Sequence, residues 1–339
     1  MRFLWLLAAL TLLGCDVVGH PARGRTEVTF QSGAAIADNT PVNFTVTVRD
    51  AEGHAVPSAL VTYEVVGEGV TIGGNGDRTG KDGVVHGSLA STRTGEKTLK
   101  VTVGEGDVMI HLAPETVTFA PGPPEGIHFF AQPSLTKAGI PMSPAVVLEV
   151  LDANGNRATG AYAAYLKLVR SSGGVVQNAG SATNMISAVD GLITFDNLII
   201  NKPQTGYALR AQTTPDGSGA ADESVQFDVQ RGDFSAATST ITSDPTVSLP
   251  ADGNSSFTLT LTARDAGGNP LDGEQATFSV TPAQGCAMGP TVGGGGNVTT
   301  TGADGVSAPP IFLKCTASGA KTVTATVGSE SVSIVVSFY

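Results

Sequence analysis

The chain has 339 residues, of which 43 are Gly and 19 Pro, together about 18% against an average of roughly 12%, so turns are frequent. Charged residues make up 14%, aromatic residues 6% and hydrophobic residues 41%, a balance that argues against both a disordered polyelectrolyte and a polytopic membrane protein. The net charge of −11 argues against a phosphate-backbone binder, which needs an excess of Lys and Arg, so no nucleic-acid partner is expected.

The first residues carry an address. Arg2 precedes a mostly apolar run, Phe3 to Leu13, that ends in Leu12-Leu13-Gly14-Cys15. In helical rise that run covers about 16 Å, against a hydrocarbon core of roughly 30 Å, so it is too short to span a bilayer. A charged start, a short apolar stretch and a small residue before the cut describe a secretory signal. Its ending resembles the bacterial lipoprotein lipobox, in which the Cys is acylated and becomes the first mature residue. An ordinary signal peptide that happens to contain a Cys is the plainer alternative. The position of Cys15 directly behind Gly14 favours the lipoprotein, with residues 1–14 as signal peptide, Cys15 as lipidation site and 15–25 as tether. Two or three acyl chains make a stable anchor, so the partner implied here is a membrane in the bacterial cell envelope. The outer membrane or cell surface is favoured, and Asp16 leaves the inner membrane open.

Beyond the tether one pattern occurs three times, at about one hundred residues per copy. Asp50-Ala-Glu-Gly-His54, Asp152-Ala-Asn-Gly-Asn156 and Asp265-Ala-Gly-Gly-Asn269 each follow an alternating strand, and Asp82-Gly83, Asp190-Gly191 and Asp304-Gly305 lie downstream. In the first copy Val42, Phe44, Val46 and Val48 alternate with Asn43, Thr45, Thr47 and Arg49, giving one dry and one wet face. After the turn, Val61, Tyr63 and Val65 continue the buried face, followed by Leu99, Val101 and Val103 and then Val108, Ile110 and Leu112. The second copy offers Val146, Leu148 and Val150 and later Tyr207, Leu209 and Ala211, closing on Val225, Phe227 and Val229. Its middle strand, Ala164, Leu166 and Leu168, slips by one residue, which predicts a bulge or insertion near Gly160. The third copy has Phe257, Leu259, Leu261 and Ala263, then Ala276, Phe278 and Val280, then Val323, Ala325 and Val327, and closes on Val332, Ile334, Val336 and Phe338. No segment beyond the signal sustains a 3.6-residue apolar period. Short strands punctuated by Asp, Asn, Gly and Pro predict an all-β chain of three tandem β-sandwiches, with domains at 26–120, 121–231 and 232–339. The joints are Ala120-Pro-Gly-Pro-Pro-Glu-Gly126, stiffened by its prolines, and Gln230-Arg-Gly-Asp-Phe234. Sandwiches about 30 Å long joined end to end predict an elongated monomer.

The Asp-Ala-x-Gly-Asn/His turn after an alternating strand, the downstream Asp-Gly, and the closing Gly319-Ala-Lys-Thr-Val-Thr-Ala-Thr-Val-Gly328 together resemble bacterial Ig-like repeats, those of the invasin and intimin group in particular. The resemblance covers roughly residues 26 to 339 and implies Ig-like sandwiches. The only Trp, Trp5, lies in the signal, so the buried Trp of antibody domains is missing. The outer-membrane barrel and the lectin-like tip of invasins are also missing from this sequence, so host-cell invasion does not carry over. What carries over is a role without catalysis, as spacer or adhesion/binding module with a protein or glycan partner at the cell surface. The alternative is an accessory subunit of an envelope assembly, such as a secretion or pilus system, gripping its partner through a sandwich edge.

Motifs of chemistry are few. With Cys15 lipidated, Cys286 and Cys315 form an even pair in an exported chain and are expected as a disulfide, two-thiol metal binding being the weaker reading. Gly293 to Gly296 lacks the helix and Lys of a phosphate cradle. His20, His54, His86, His111 and His128 show no ligand spacing and fit exposed positions. Asp152, Asn154 and Asn156 echo the start of a calcium loop, but no Glu closes it; a turn in which the Asp carboxylate accepts backbone N–H groups fits better. No cofactor and no catalytic residue is expected. Arg231-Gly232-Asp233 matches an integrin-binding tripeptide but is read as chance.

Overall fold

The computed structural model describes residues 19–74, 76–178, 186–292 and 295–339. Cys15, Asp16 and the signal peptide lie outside the described residues, as do Gly293 and Gly294. Among the described residues every regular element is a β-strand except a single 3-10 turn, Gly106–Val108. The fold is all-β, as the alternation requires. None of the helices among these residues is long and apolar enough to cross a membrane. The chain divides into two compact units. One comprises the residues up to Gly126 with Val150–Gly160, the other Ile127–Glu149 with Ala161–Tyr339.

In the first unit one sheet runs in the order Glu27–Phe30, Val42–Thr47, Val84–Ser91, Val70–Gly74. The facing sheet is built on Val61–Val66 and Gly95–Val103, with Ile110–His111 and Glu115–Phe119 both pairing Gly95–Val103. The residues counted from the Asp by twos point inward: Phe44, Val46 and Val48 meet Val61, Leu99, Val101 and Val103 in one buried cluster. Phe44 packs edge-on against Phe30 and Tyr63, with ring centroids 5.7 and 5.5 Å apart. Its cross-strand partner is Gly87, where an added Cβ would lie 2.2 Å from the ring. The glycine therefore provides the space that the phenylalanine fills.

The second unit holds the third copy of the pattern and the second copy apart from its Asp152 turn, which falls in the first unit. Val146–Leu151 pairs Leu192–Phe195 with Val146 opposite Phe195, and Ala163–Val169 pairs Gln204–Gln212 with Leu166 opposite Ala211. Tyr207, Leu209 and Ala211 are buried, as the alternation predicts. The third copy repeats the sheet order of the first: Thr240–Asp244, Phe257–Thr262, Ile311–Cys315, Cys286–Gly289 in one sheet. Its second sheet runs Ser307–Ala308, Val298–Thr301, Gln275–Thr281, Gly319–Val327, Glu330–Phe338. Phe257, Leu259, Leu261, Ala276, Phe278, Val323 and Ala325 form its core.

Several local expectations change. Val108 ends the 3-10 turn and is exposed; the first copy closes instead on Glu115–Phe119, beyond Pro114, where Phe119 is buried. Val225 is exposed too, and the closing strand of the second copy is Phe227–Gln230. The register irregularity of the second copy lies between Gln204 and Tyr207, whereas Gly160 sits in the loop before Ala163–Val169. Residues 19–25, expected as part of a tether, are folded: Ala22 is buried and donates its N–H to the Arg49 carbonyl, and Arg25 and Thr26 donate to the Ala22 carbonyl.

Candidate functional site

The three Asp turns form at the ends of buried strands, and their carboxylates are almost wholly enclosed: Asp50 is 2% exposed, Asp152 6% and Asp265 0%. A buried carboxylate requires compensating donors, and all three copies supply them in the same way. One oxygen, Oδ1, accepts backbone N–H groups within the turn, from Glu52 and His54 in the first copy, from Asn154 and Asn156 in the second and from Asn269 in the third. The other, Oδ2, reaches back to a glycine N–H in the segment that enters the repeat. Gly19 donates to Asp50 at 3.1 Å, Gly122 to Asp152 at 2.8 Å and Gly232 to Asp265 at 3.0 Å. Each clamp spans 30 to 33 residues of sequence.

The last residue of the motif differs between copies. Asn156 Nδ2 donates to both oxygens of Asp152 and also to the Thr92 carbonyl at 3.0 Å. Asn154 Nδ2 reaches the Ala37 carbonyl. Asn269 likewise donates to both oxygens of Asp265 and to the Asn201 carbonyl at 2.7 Å. Close approach accompanies this contact, because a Cβ at Gly139 would lie 2.1 Å from the Gly267 nitrogen. In the first copy His54 takes the place of Asn, with Nδ1 3.5 Å from Asp50 Oδ2 and its side chain 73% exposed. Asp50, Glu52 and His54 present ligand atoms within 4.8 Å of one another, a grouping that a search for His-x-x-x-His or Cys-x-x-Cys spacing does not find.

Burial alone would raise the carboxyls of Asp50 and Asp152. For Asp50 the N–H groups of Gly19 and His54, and for Asp152 those of Asn156, Gly122 and Asn154, outweigh it, and both groups sit below the ordinary carboxylate range. The Asp152 and Asn156 side chains do come together, whereas Asn154 meets Asp152 through its backbone N–H and turns its side chain to the Ala37 carbonyl, so around Asp152 the two asparagines contribute N–H donors. That is the arrangement of a hydrogen-bonded turn.

The other sequence candidates fall as follows. Cys286 and Cys315 are cross-strand partners joined by a disulfide, with Cα atoms 4.0 Å apart. The five histidines are exposed. The Arg231-Gly232-Asp233 tripeptide is tied down: Arg231 pairs Glu274 at 2.9 Å, Gly232 is buried in the clamp, and Asp233 pairs Lys137 at 2.6 Å. That geometry does not offer a free loop for recognition. The larger concavities are shallow. One of about 550 Å³ on the sheet of the first copy is lined by Thr29, Gln31, Asn43, Thr45, His86 and Ser88 together with Phe30 and Phe44.

Comparison with known proteins agrees with this architecture. Residues 25–120 match the model of the bacterial Ig-like domain (group 1), and residues 235–338 match that of invasin domain 3. No curated protein matches the chain. Among solved structures it is similar to FdeC, an adhesin of Escherichia coli, with 23% identity, 95% of this chain and 99% of that chain covered, and a TM-score of 0.53. Similar too is InvD of Yersinia pseudotuberculosis, with 16% identity over 94% of this chain and 98% of that one, at a TM-score of 0.41. Invasin, a bacterial integrin-binding protein, is 18% identical over 93% of this chain and 60% of that one, at a TM-score of 0.31.

Proposed function

We propose, for a chain built of bacterial Ig-like domains of the invasin and intimin type, a non-catalytic role as a lipid-anchored protein of the bacterial cell envelope that presents its sandwiches as an adhesion or binding module. The observation that carries this reading is the clamp repeated three times, in which a buried Asp holds the segment entering each repeat through a glycine N–H. Such fastening suits a chain whose work is to hold surfaces in place. The buried carboxylates are spent on backbone donors, which argues against their use as acids or bases. Acylation of Cys15 supplies the anchor, and a protein or glycan at the cell surface is the partner. The chain acts as a monomer. Proximity labelling from the lipidated protein in intact cells tests this: reproducible enrichment of envelope or surface components supports it, and a labelling profile equal to that of an unrelated lipoprotein contradicts it.

A second reading, an accessory subunit that adds a partner strand to its sheet, is favoured by one feature. Val70–Gly74 is an edge strand with no Pro and no charged residue, and Ile72 on it is exposed. Unprotected edges of this kind accept β-strands. An Ile72→Lys substitution that abolishes partner capture supports this reading; unchanged capture removes it.

A further inference from the structure

The first clamp fixes a distance. Gly19 is held on the buried Asp50 carboxylate at 3.1 Å, and Pro21 and Ala22 are buried against the same end of the sandwich. Four peptide steps separate Gly19 from Cys15, and a fully extended chain covers at most roughly 14 Å in four residues. Resting on the proposed acylation of Cys15, we infer that the first sandwich has no free stalk and docks directly on the bilayer, with the end carrying His20, Arg23, Arg25, Glu52 and His54 against the phospholipid headgroups.

The chemistry of that end fits a headgroup phosphate. Arg23 and Arg25 are exposed, and their guanidinium groups have no hydrogen bond or ion pair among the described residues. Arg25 reaches over the Asp50 turn, its Nη1 lying 3.9 Å from the Cβ position of Gly53. Guanidinium groups bind phosphate oxygens in pairs, and basic residues beside a bilayer are drawn to anionic lipid. In a chain of net charge −11, two unpaired arginines within ten residues of the acylated cysteine are placed where the bilayer is and where the rest of the protein would be repelled. The His54 position has the same meaning. In the other copies its counterpart, Asn156 or Asn269, is engaged with backbone carbonyls, whereas here the side chain is left outward at the end nearest the lipid.

The test uses the full acylated chain in vesicles with and without phosphatidylglycerol, carrying a fluorophore at either Glu52→Cys or Glu68→Cys and a headgroup-linked quencher in the lipid. Glu68 precedes Gly69, whose carbonyl accepts the Thr92 N–H at the far end of the eight-residue strand Val84–Ser91, about 25 Å from the Asp50 turn. Quenching at position 52 is expected to exceed that at position 68 several-fold. The double substitution Arg23→Gln, Arg25→Gln should lower the docked-to-undocked ratio on phosphatidylglycerol vesicles by roughly 30-fold while co-sedimentation stays unchanged. Co-sedimentation with equal or no quenching at the two positions overturns docking and leaves the anchor standing. Loss of docking equally on zwitterionic vesicles overturns the headgroup assignment. Failure of the wild-type chain to co-sediment at all overturns the anchor, and docking falls with it.

Discussion

Gly232 and Asp265 are 33 residues apart in sequence, and the backbone N–H of the first donates to Oδ2 of the second at 3.0 Å in a buried setting. A Cβ at Gly232 would stand 2.8 Å from both the Ala138 carbonyl and the Asp265 Cβ. At the matching Gly122 a Cβ would meet Asp152 only at 3.5 Å, an ordinary contact. Gly232→Ala should therefore lower the melting temperature of the unit that contains it, whereas Gly122→Ala should leave its own unit within about 0.5 kcal/mol of the parent. Denaturation of the two variants side by side checks the contrast, and equal effects would mean that the clamps are not close-packed as described.

Asp265→Ala strips a buried acceptor from the N–H groups of Gly232 and Asn269 and from the Asn269 amide. The expected loss is about 2 kcal/mol, the cost of leaving buried donors unpaired. Amide exchange at Gly232 should accelerate in this variant before exchange in Phe257–Thr262 does, because the clamp opens locally while the core strands stay paired.

Acid should loosen the first unit. The Asp50 and Asp152 carboxyls lie below their ordinary value in the folded chain, so the folded state binds fewer protons than the unfolded one. Their stabilising contribution is fully present above the unfolded value of about 4 and is lost as pH falls through the lower folded values. Asp152→Asn should flatten the stability profile below about pH 4. A variant as acid-sensitive as the parent would show that Asp152 is not part of the response.

The Cys286–Cys315 bond closes a separation of 29 residues, and the chain-entropy account assigns such a loop roughly 3.5 kcal/mol. Reduction should destabilise the third copy by up to that amount and spare the first unit. Peptide mapping without reductant should recover one linked pair, and two freely alkylated thiols in natively exported protein would contradict the bond.

Calcium at millimolar concentration should leave the melting temperature unchanged, since Asp152 already accepts five hydrogen bonds. A rise of several degrees, abolished by Asp152→Ala, would reverse the assignment of this group as a turn.

Much of this architecture is legible in the residues because a sheet with one wet face enforces a period of two, and Phe44, Val46 and Val48 or Leu259, Leu261 and Ala263 obey it. The pairing of Cys286 with Cys315 is legible for a simpler reason, that two exported thiols remain once Cys15 is set apart. The ends of the copies are less so. Val108 and Val225 sit in apolar alternation but lie outside strands, and Pro114 interrupts the sequence before the strand that does close the first copy. The clamp is half visible in the sequence: the Asp turns stand out, but their partners are backbone N–H groups, which leave no side-chain signature. Only a glycine recurring some thirty residues before each Asp marks them. In the sequence His54 and Glu52 are residues of a turn, and their proximity to Asp50 emerges from the fold of that turn.

The central claim, a module held to a membrane through Cys15, is tested most directly by fatty-acid labelling and membrane fractionation of the parent chain and Cys15→Ser in the same cells. The parent should carry palmitate label and remain with membranes, and the variant should lose both. Retained label and retained membrane association in Cys15→Ser would contradict the anchor and, with it, the envelope role argued from the repeats.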